Sequence, residues 1–285
     1  MTEINVLHSK YQLTEREVLQ IGERIIERYT FGIVSVVKPK VIILGGQPGA
    51  GKSELIKIAR TVWGNNSVIC NADEYRDYHP KSEEIKRLYE KFYPEITAAY
   101  SQPWNNRLRK HCEDNRFNFI LETTFSSGAL MNKTIRELRD KGCEVSIMIL
   151  AVNKKRSYLG TQIRYEKMQI IEGFGRKVDK VAHDDKYEKI RETLALVQQA
   201  KSYNHLYIYG RAGRGNTKGK HNGLVLVSHN SKDPLHDYLT ERDKELSVND
   251  MREFMGDILQ LIRMMIDRTA PHDELKIVLD TFETI

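Results

Sequence analysis

Apolar positions along the chain fall into two spacings. Residues 11–30 carry Leu13, Val18, Leu19, Ile21, Ile25 and Ile26 at helical spacing, predicting an amphipathic helix with Thr14 as candidate N-cap. Residues 41–44 form a short run with the length and β-branched content of a buried parallel strand. Helical spacing returns over 54–60, and 67–71 reads as a second strand. Residues 82–112 look helical, with Pro94 and Pro103 expected to break them into pieces. A strand over 115–121, a helix over 131–141 and a strand over 144–152 follow. Next come a helix over 157–166, a glycine-bearing stretch at 171–176 and a helix over 182–201. A strand at 206–209 and a returning strand at 224–228 flank a Gly- and Lys/Arg-rich loop. The tail from 231 is helical, and Phe254, Ile258, Leu261, Ile262, Met265 and Ile266 form a stripe expected to pack as core. Strands alternating with helices predict an α/β fold with a mostly parallel central sheet. With no repeat and no clear linker, residues 1–285 are expected to be one domain. Its core would span about 36–230, with a helical extension over about 231–285.

The break after the first strand carries the chemistry. Gly46, Gln47, Pro48, Gly49, Ala50, Gly51, Lys52 and Ser53 fit G-x-x-x-x-G-K-[ST] at every fixed position, between a strand and a helix. Glycines let backbone N–H groups turn inward around an anion, and the positive end of the next helix adds to them. Lys52 is expected at the β/γ-phosphates and the Ser53 hydroxyl at Mg²⁺. This predicts a P-loop NTPase or kinase-like three-layer sandwich that binds ATP or GTP.

Composition narrows the class without deciding it. In 285 residues, 40% are hydrophobic and 29% charged, ordinary values for a globular protein. No apolar run approaches the roughly 20 residues that span a bilayer. The N-terminal residues show no apolar signal core, so a cytoplasmic protein with no membrane role is expected. Cys70, Cys112 and Cys143 are widely spaced and odd in number, fitting reduced thiols better than a disulfide framework or a metal site. The net charge of +6 suits polyanionic small molecules as well as nucleic acid. The basic runs lack the aromatic residues that stack bases, which argues against nucleic acid.

Three further places carry candidate chemistry. Asp73 follows the second strand, where a general base for a hydroxyl acceptor would stand; as a helix N-cap it would have a purely local role. Glu122 ends the third strand, where it would place Mg²⁺ or hold the acceptor, and Thr124 and Thr134 could offer hydroxyls to a substrate. Arg164 and Arg176 could close over a triphosphate, or be ordinary solvated positions.

Together the segments GGQPGAGKS, NADEYRDYHP, ILETT and SYLGTQIRYEKM, with GRK and AHD after them, resemble the zeta toxins. These are the kinase half of bacterial epsilon–zeta toxin–antitoxin pairs, and the resemblance covers roughly 40–210. It implies phosphorylation by ATP or GTP of the 3′-hydroxyl of the sugar in UDP-N-acetylglucosamine, blocking peptidoglycan synthesis. It also implies a small helical antitoxin that occludes the nucleotide site. Asp73 falls on the family's base, and Lys52 and Ser53 on the phosphate-loop lysine and metal hydroxyl. Glu122, Thr124 and Thr134 fall on substrate-side residues, and Arg164 and Arg176 on the charge-stabilising arginines. Asn71 replaces the usual first Asp and Thr123 the usual Gly, and a family glutamate that holds the sugar falls near Asn106, which is neutral. These departures leave transfer intact and open the sugar's identity. A kinase of another hydroxyl acceptor, such as NAD or a polynucleotide, and a non-catalytic module using the 211–221 loop are the alternatives.

Overall fold

The computed structural model describes residues 2–211, 220–221 and 223–282. Helices α1 (Glu3–Lys10) and α2 (Glu15–Thr30) precede the first strand, β1 (Lys40–Gly45). Thr14 caps α2 in a reciprocal box with Glu17, which satisfies two of the orphan donors at the helix start. After α3 (Lys52–Trp63) and β2 (Val68–Cys70), a 3₁₀ turn at Ala72–Tyr78 leads to α4 (Ser82–Tyr89) and α5 (Tyr93–Asp114). Then come β3 (Phe119–Glu122), α6 (Gly128–Asp140), β4 (Glu144–Ala151), α7 (Lys154–Glu172) and α8 (Lys180–Ala200). β5 (His205–Arg211), β6 (Lys220–His221) and β7 (Leu224–His229) complete the sheet, and α9 (Pro234–Asp243), α10 (Val248–Asp267) and α11 (His272–Phe282) follow it.

The sheet order is β2-β3-β1-β4-β5-β7-β6, parallel from β2 to β5 with β7 and β6 antiparallel at one edge. β1 sits between β3 and β4, so the connection from β3 to β4 crosses it. Strand order reverses there, and the crevice beyond the strand ends is where α/β sheets hold ligands. Period-two alternation covers both faces. Val41 and Ile43 pack with α2, α5, α6 and α8, while Ile42 and Leu44 pack with Leu55, Ile58 and Ala59 of α3.

Two expectations change. Pro94 starts α5 near its first turn, but Pro103 lies inside α5 without ending it. Pro103 and Ala99, whose carbonyl loses its partner, both lie on the exposed face, where water takes that carbonyl. Of the tail stripe, Phe254, Ile258, Leu261 and Met265 are buried against α7, whereas Ile266 points outward and is 61% exposed. The three cysteines are free and buried. No helix among the described residues is long and apolar enough to cross a membrane. Most of the basic loop, 212–219 and 222, lies outside the described residues.

Candidate active site

β1 delivers the glycine loop to the crevice, and α7 backs it. Gly49 and Gly51 take φ of +75° and +99°, the left-handed region that side chains disfavour. A Cβ on Gly49 would overlap the Ser157 carbonyl and come within 2.9 Å of Thr161 N. A Cβ on Gly160 would lie 2.7 Å from the Gly49 carbonyl. Backbone therefore meets backbone between loop and helix, which explains glycine in the middle of α7.

Gln47 pins the loop from behind. Fully buried, it donates from Nε2 to the Val152 carbonyl at 2.9 Å and to Ser157 Oγ at 3.1 Å. Ser157 Oγ lies 3.0 Å from His183 Nε2, and His183 Nδ1 lies 3.0 Å from Asp184. Burial pushes the His183 imidazole below its ordinary range despite Asp184, so it sits neutral. This chain of side chains ties the loop to α7 and α8.

Lys52 Nζ donates to the carbonyls of Gly46 at 2.9 Å and Gln47 at 3.3 Å and lies 3.9 Å from Glu122 Oε1. Burial lowers its pKa, with Glu122 acting the other way. Glu122 accepts from Asn71 Nδ2 at 3.0 Å, and burial raises its carboxyl above the usual range. The neutral Asn71 thus supplies a donor where an Asp would set carboxylate against carboxylate.

The helix-cap alternative for Asp73 does not hold, because Asn71 takes that place. Its side chain accepts from Asp73 N at 3.0 Å, leaving the Asp73 carboxylate to other partners. Those are Arg76 Nε at 2.9 Å and Arg176 Nη1 at 3.1 Å. Burial would raise the Asp73 pKa, but Arg176, Arg76 and Arg164 together hold it below the ordinary value.

Two adjoining cavities meet at this cluster. One, of about 580 Å³, is lined by the glycine loop, Lys52 and Ser53 on one side and by α7 and α10 on the other. The other, of about 290 Å³, is lined by Asp73, Asp77, Lys86, Tyr93, Phe174 and Arg176. Asn71, Glu122 and Arg164 border both, Arg164 from an exposed position on α7.

Thr124 pairs its hydroxyl with Ser126 Oγ at 2.8 Å. Thr134 is buried on α6 and Asn106 is exposed on α5; neither lines these cavities. Sequence reasoning passed over Arg76, Arg211 and the wall made by α10. Arg76 stood in the quoted segment NADEYRDYHP and Arg211 opened the basic loop. Nothing local marked α10, whose place depends on how the tail folds back.

A family profile described as zeta toxin matches residues 24–222. The chain is 30% identical over 199 residues to toxin PezT of Streptococcus pneumoniae serotype 4, covering 70% of this chain and 79% of that protein. It is 29% identical over 201 residues to toxin zeta of Streptococcus agalactiae, covering 70% of each. In fold it is similar to a chain from the PezAT chromosomal toxin–antitoxin system of S. pneumoniae, with a TM-score of 0.78 at 24% identity. That likeness covers 92% of this chain and all of the other. A chain of the AvrRxo1-ORF1:-ORF2 structure with ATP is more distant, with a TM-score of 0.57 at 12% identity, covering 94% and 86%.

Proposed function

Because the chain belongs to the zeta toxin family, we propose that it is a toxin kinase acting on a UDP-activated sugar. It would transfer the γ-phosphate of ATP or GTP to the 3′-hydroxyl of the sugar in UDP-N-acetylglucosamine or a relative, blocking peptidoglycan synthesis. The supporting observation is the continuity of the two cavities. The phosphate loop lines one, Asp73 lines the other, and Glu122 and Arg164 stand at their junction.

In this reading the glycine loop N–H groups and Lys52 hold the donor phosphates. Arg164 and Arg176 neutralise charge on the transferring group. Asp73, ionised at neutral pH through its arginine neighbours, accepts the hydrogen bond of the attacking hydroxyl and takes its proton. Glu122, which borders the Asp73 cavity, is assigned to the acceptor side, whereas Thr124, Thr134 and Asn106 lie outside the lining of both cavities and keep only the role that the family resemblance implies.

Among the described residues no group of three or more His, Cys, Asp or Glu could cage a metal. Magnesium needs no such cage, since phosphates and one or two protein oxygens hold it. The Ser53 hydroxyl at the start of α3 fits that role, and the ion would neutralise phosphate charge. A small helical antitoxin that occludes the donor site is the expected partner, in keeping with the toxin–antitoxin system named for the fold relative.

The test is a transfer assay with Mg-ATP and a panel of UDP-sugars, NAD and oligonucleotides, with products identified by mass. Wild type should yield a singly phosphorylated UDP-sugar, and Asp73→Ala should yield none while still binding ATP. Phosphorylation of another acceptor alone would replace the substrate assignment.

A further inference from the structure

The C-terminal helices lie beyond the segment matched to the family, yet α10 enters the donor cleft. Phe254, Asp257 and Gln260, spaced by three, line the same 580 Å³ cavity as the glycine loop. We propose that α10 is the nucleoside wall of the donor site, with Asp257 and Gln260 hydrogen-bonding the ribose or base of the bound nucleotide. This rests on the donor-site reading above and extends it.

Three observations carry the inference. First, α10 is fixed to α7 and not merely adjacent to it. Arg156 of α7 pairs with Asp250 at 3.2 Å and Glu253 at 3.6 Å. Arg268, just after α10, grips Glu166 of α7 through two bonds of 2.7 and 2.8 Å, and Glu166 is only 2% exposed. Phe254, Ile258, Leu261 and Met265 pack with Tyr158 and Leu159 between these clamps. A wall held this way is preorganised.

Second, charge sorts the cleft by chemistry. The phosphates belong at the loop N–H groups and Lys52. The Arg211 guanidinium stands on that side too, 3.0 Å from where a Cβ of Gly51 would be. A carboxylate such as Asp257 repels phosphate and suits a hydrogen-bond donor at the other end of the ligand. Ribose hydroxyls and base amino groups are the donors a nucleotide offers. Gln260, with both donor and acceptor, suits the same end of the ligand.

Third, size agrees. About 580 Å³ lies within the roughly 300–1,000 Å³ of small-molecule sites and exceeds what a triphosphate alone would fill.

The experiment compares ATP, GTP and inorganic tripolyphosphate by titration calorimetry with Mg²⁺. Tripolyphosphate carries the anionic part without ribose or base. Asp257→Asn and Gln260→Ala should each weaken binding of ATP, GTP or both by about threefold to tenfold and leave tripolyphosphate unchanged. Arg252→Ala, on an exposed part of α10 outside the cleft, should change neither. Nucleotide binding unchanged in both cleft variants would overturn the inference, as would an equal loss for tripolyphosphate. Wild type that binds neither ligand would sink the donor-site reading itself, and this inference with it.

Discussion

Replacing Gly160 by alanine separates two opposing expectations. In an ordinary helix interior the change stabilises by about 1 kcal/mol, because glycine loses more backbone entropy on folding. Here the added methyl would stand 2.7 Å from the Gly49 carbonyl oxygen, with the Gly49 carbonyl carbon and Cα at 3.5 Å. Ordinary contact begins at 3.4 Å, so the gap must open by 3.4 − 2.7 = 0.7 Å. Neither partner can swing aside, since both are backbone. Overpacking of this kind costs about 1–3 kcal/mol, leaving a net destabilisation of roughly 0–2 kcal/mol. For a chain this size that lowers the melting temperature by no more than about 3 °C. Function should suffer more, because a displacement near 1 Å between reacting groups can cost on the order of 10²-fold. Gly160→Ala is therefore expected to melt within a few degrees of wild type while phosphoryl transfer falls at least about tenfold. Paired melting curves and initial rates decide it. A variant that is both more stable and fully active would refute the claim that α7 backs the phosphate loop at contact distance.

Arg268→Ala strands the Glu166 carboxylate in a site where it is 2% exposed, and should cost about 3 kcal/mol in urea unfolding; a loss under about 1 kcal/mol would contradict the clamp. Burial lowers the folded-state pKa of His79 and His183 below the ordinary 6.5. The unfolded chain then binds protons that the folded chain does not. Stability should fall as pH drops below about 6.5, by up to about 1.4 kcal/mol per pH unit for each histidine. Denaturant midpoints at pH 7.5 and 5.5 test this, and a flat profile, or one unchanged by His183→Gln, would argue against it. Asn71→Asp places a second carboxylate against Glu122, so the acid limb of the pH–rate profile should move up by about one unit. An unshifted limb would mean that a charge at position 71 does not reach the group whose ionisation limits the rate.

The glycine loop was legible because its chemistry is local. Eight consecutive residues, a strand before and a helix after, suffice to form an anion cradle whatever the rest of the chain does. The strands were legible for a related reason: both faces of a parallel sheet are covered, so their apolar runs stand out. Helix ends were less so. The helix expected over 157–166 runs from Lys154, where the Asn153 side chain accepts from Lys155 N, to Glu172, where Gly173 takes the left-handed conformation. Pro103 shows the reverse error, a strong local breaker tolerated where its orphaned carbonyl faces water.

What the sequence determined by itself was the phosphate loop, the parallel α/β order and the set of charged residues after the strands. One choice it left open, whether Asp73 is a helix cap, was decided by contacts. Asn71 caps the turn after β2, which turns the Asp73 carboxylate toward Arg76 and Arg176. Arg164 borders both cavities. Only the tertiary structure could bring α10 to the cleft, about 200 residues after Lys52 in the chain. Its apolar stripe said that it packs, but a stripe carries no address. The surface it covers is fixed by the clamps on Arg156 and Glu166, ion pairs between residues about a hundred positions apart that no local pattern encodes.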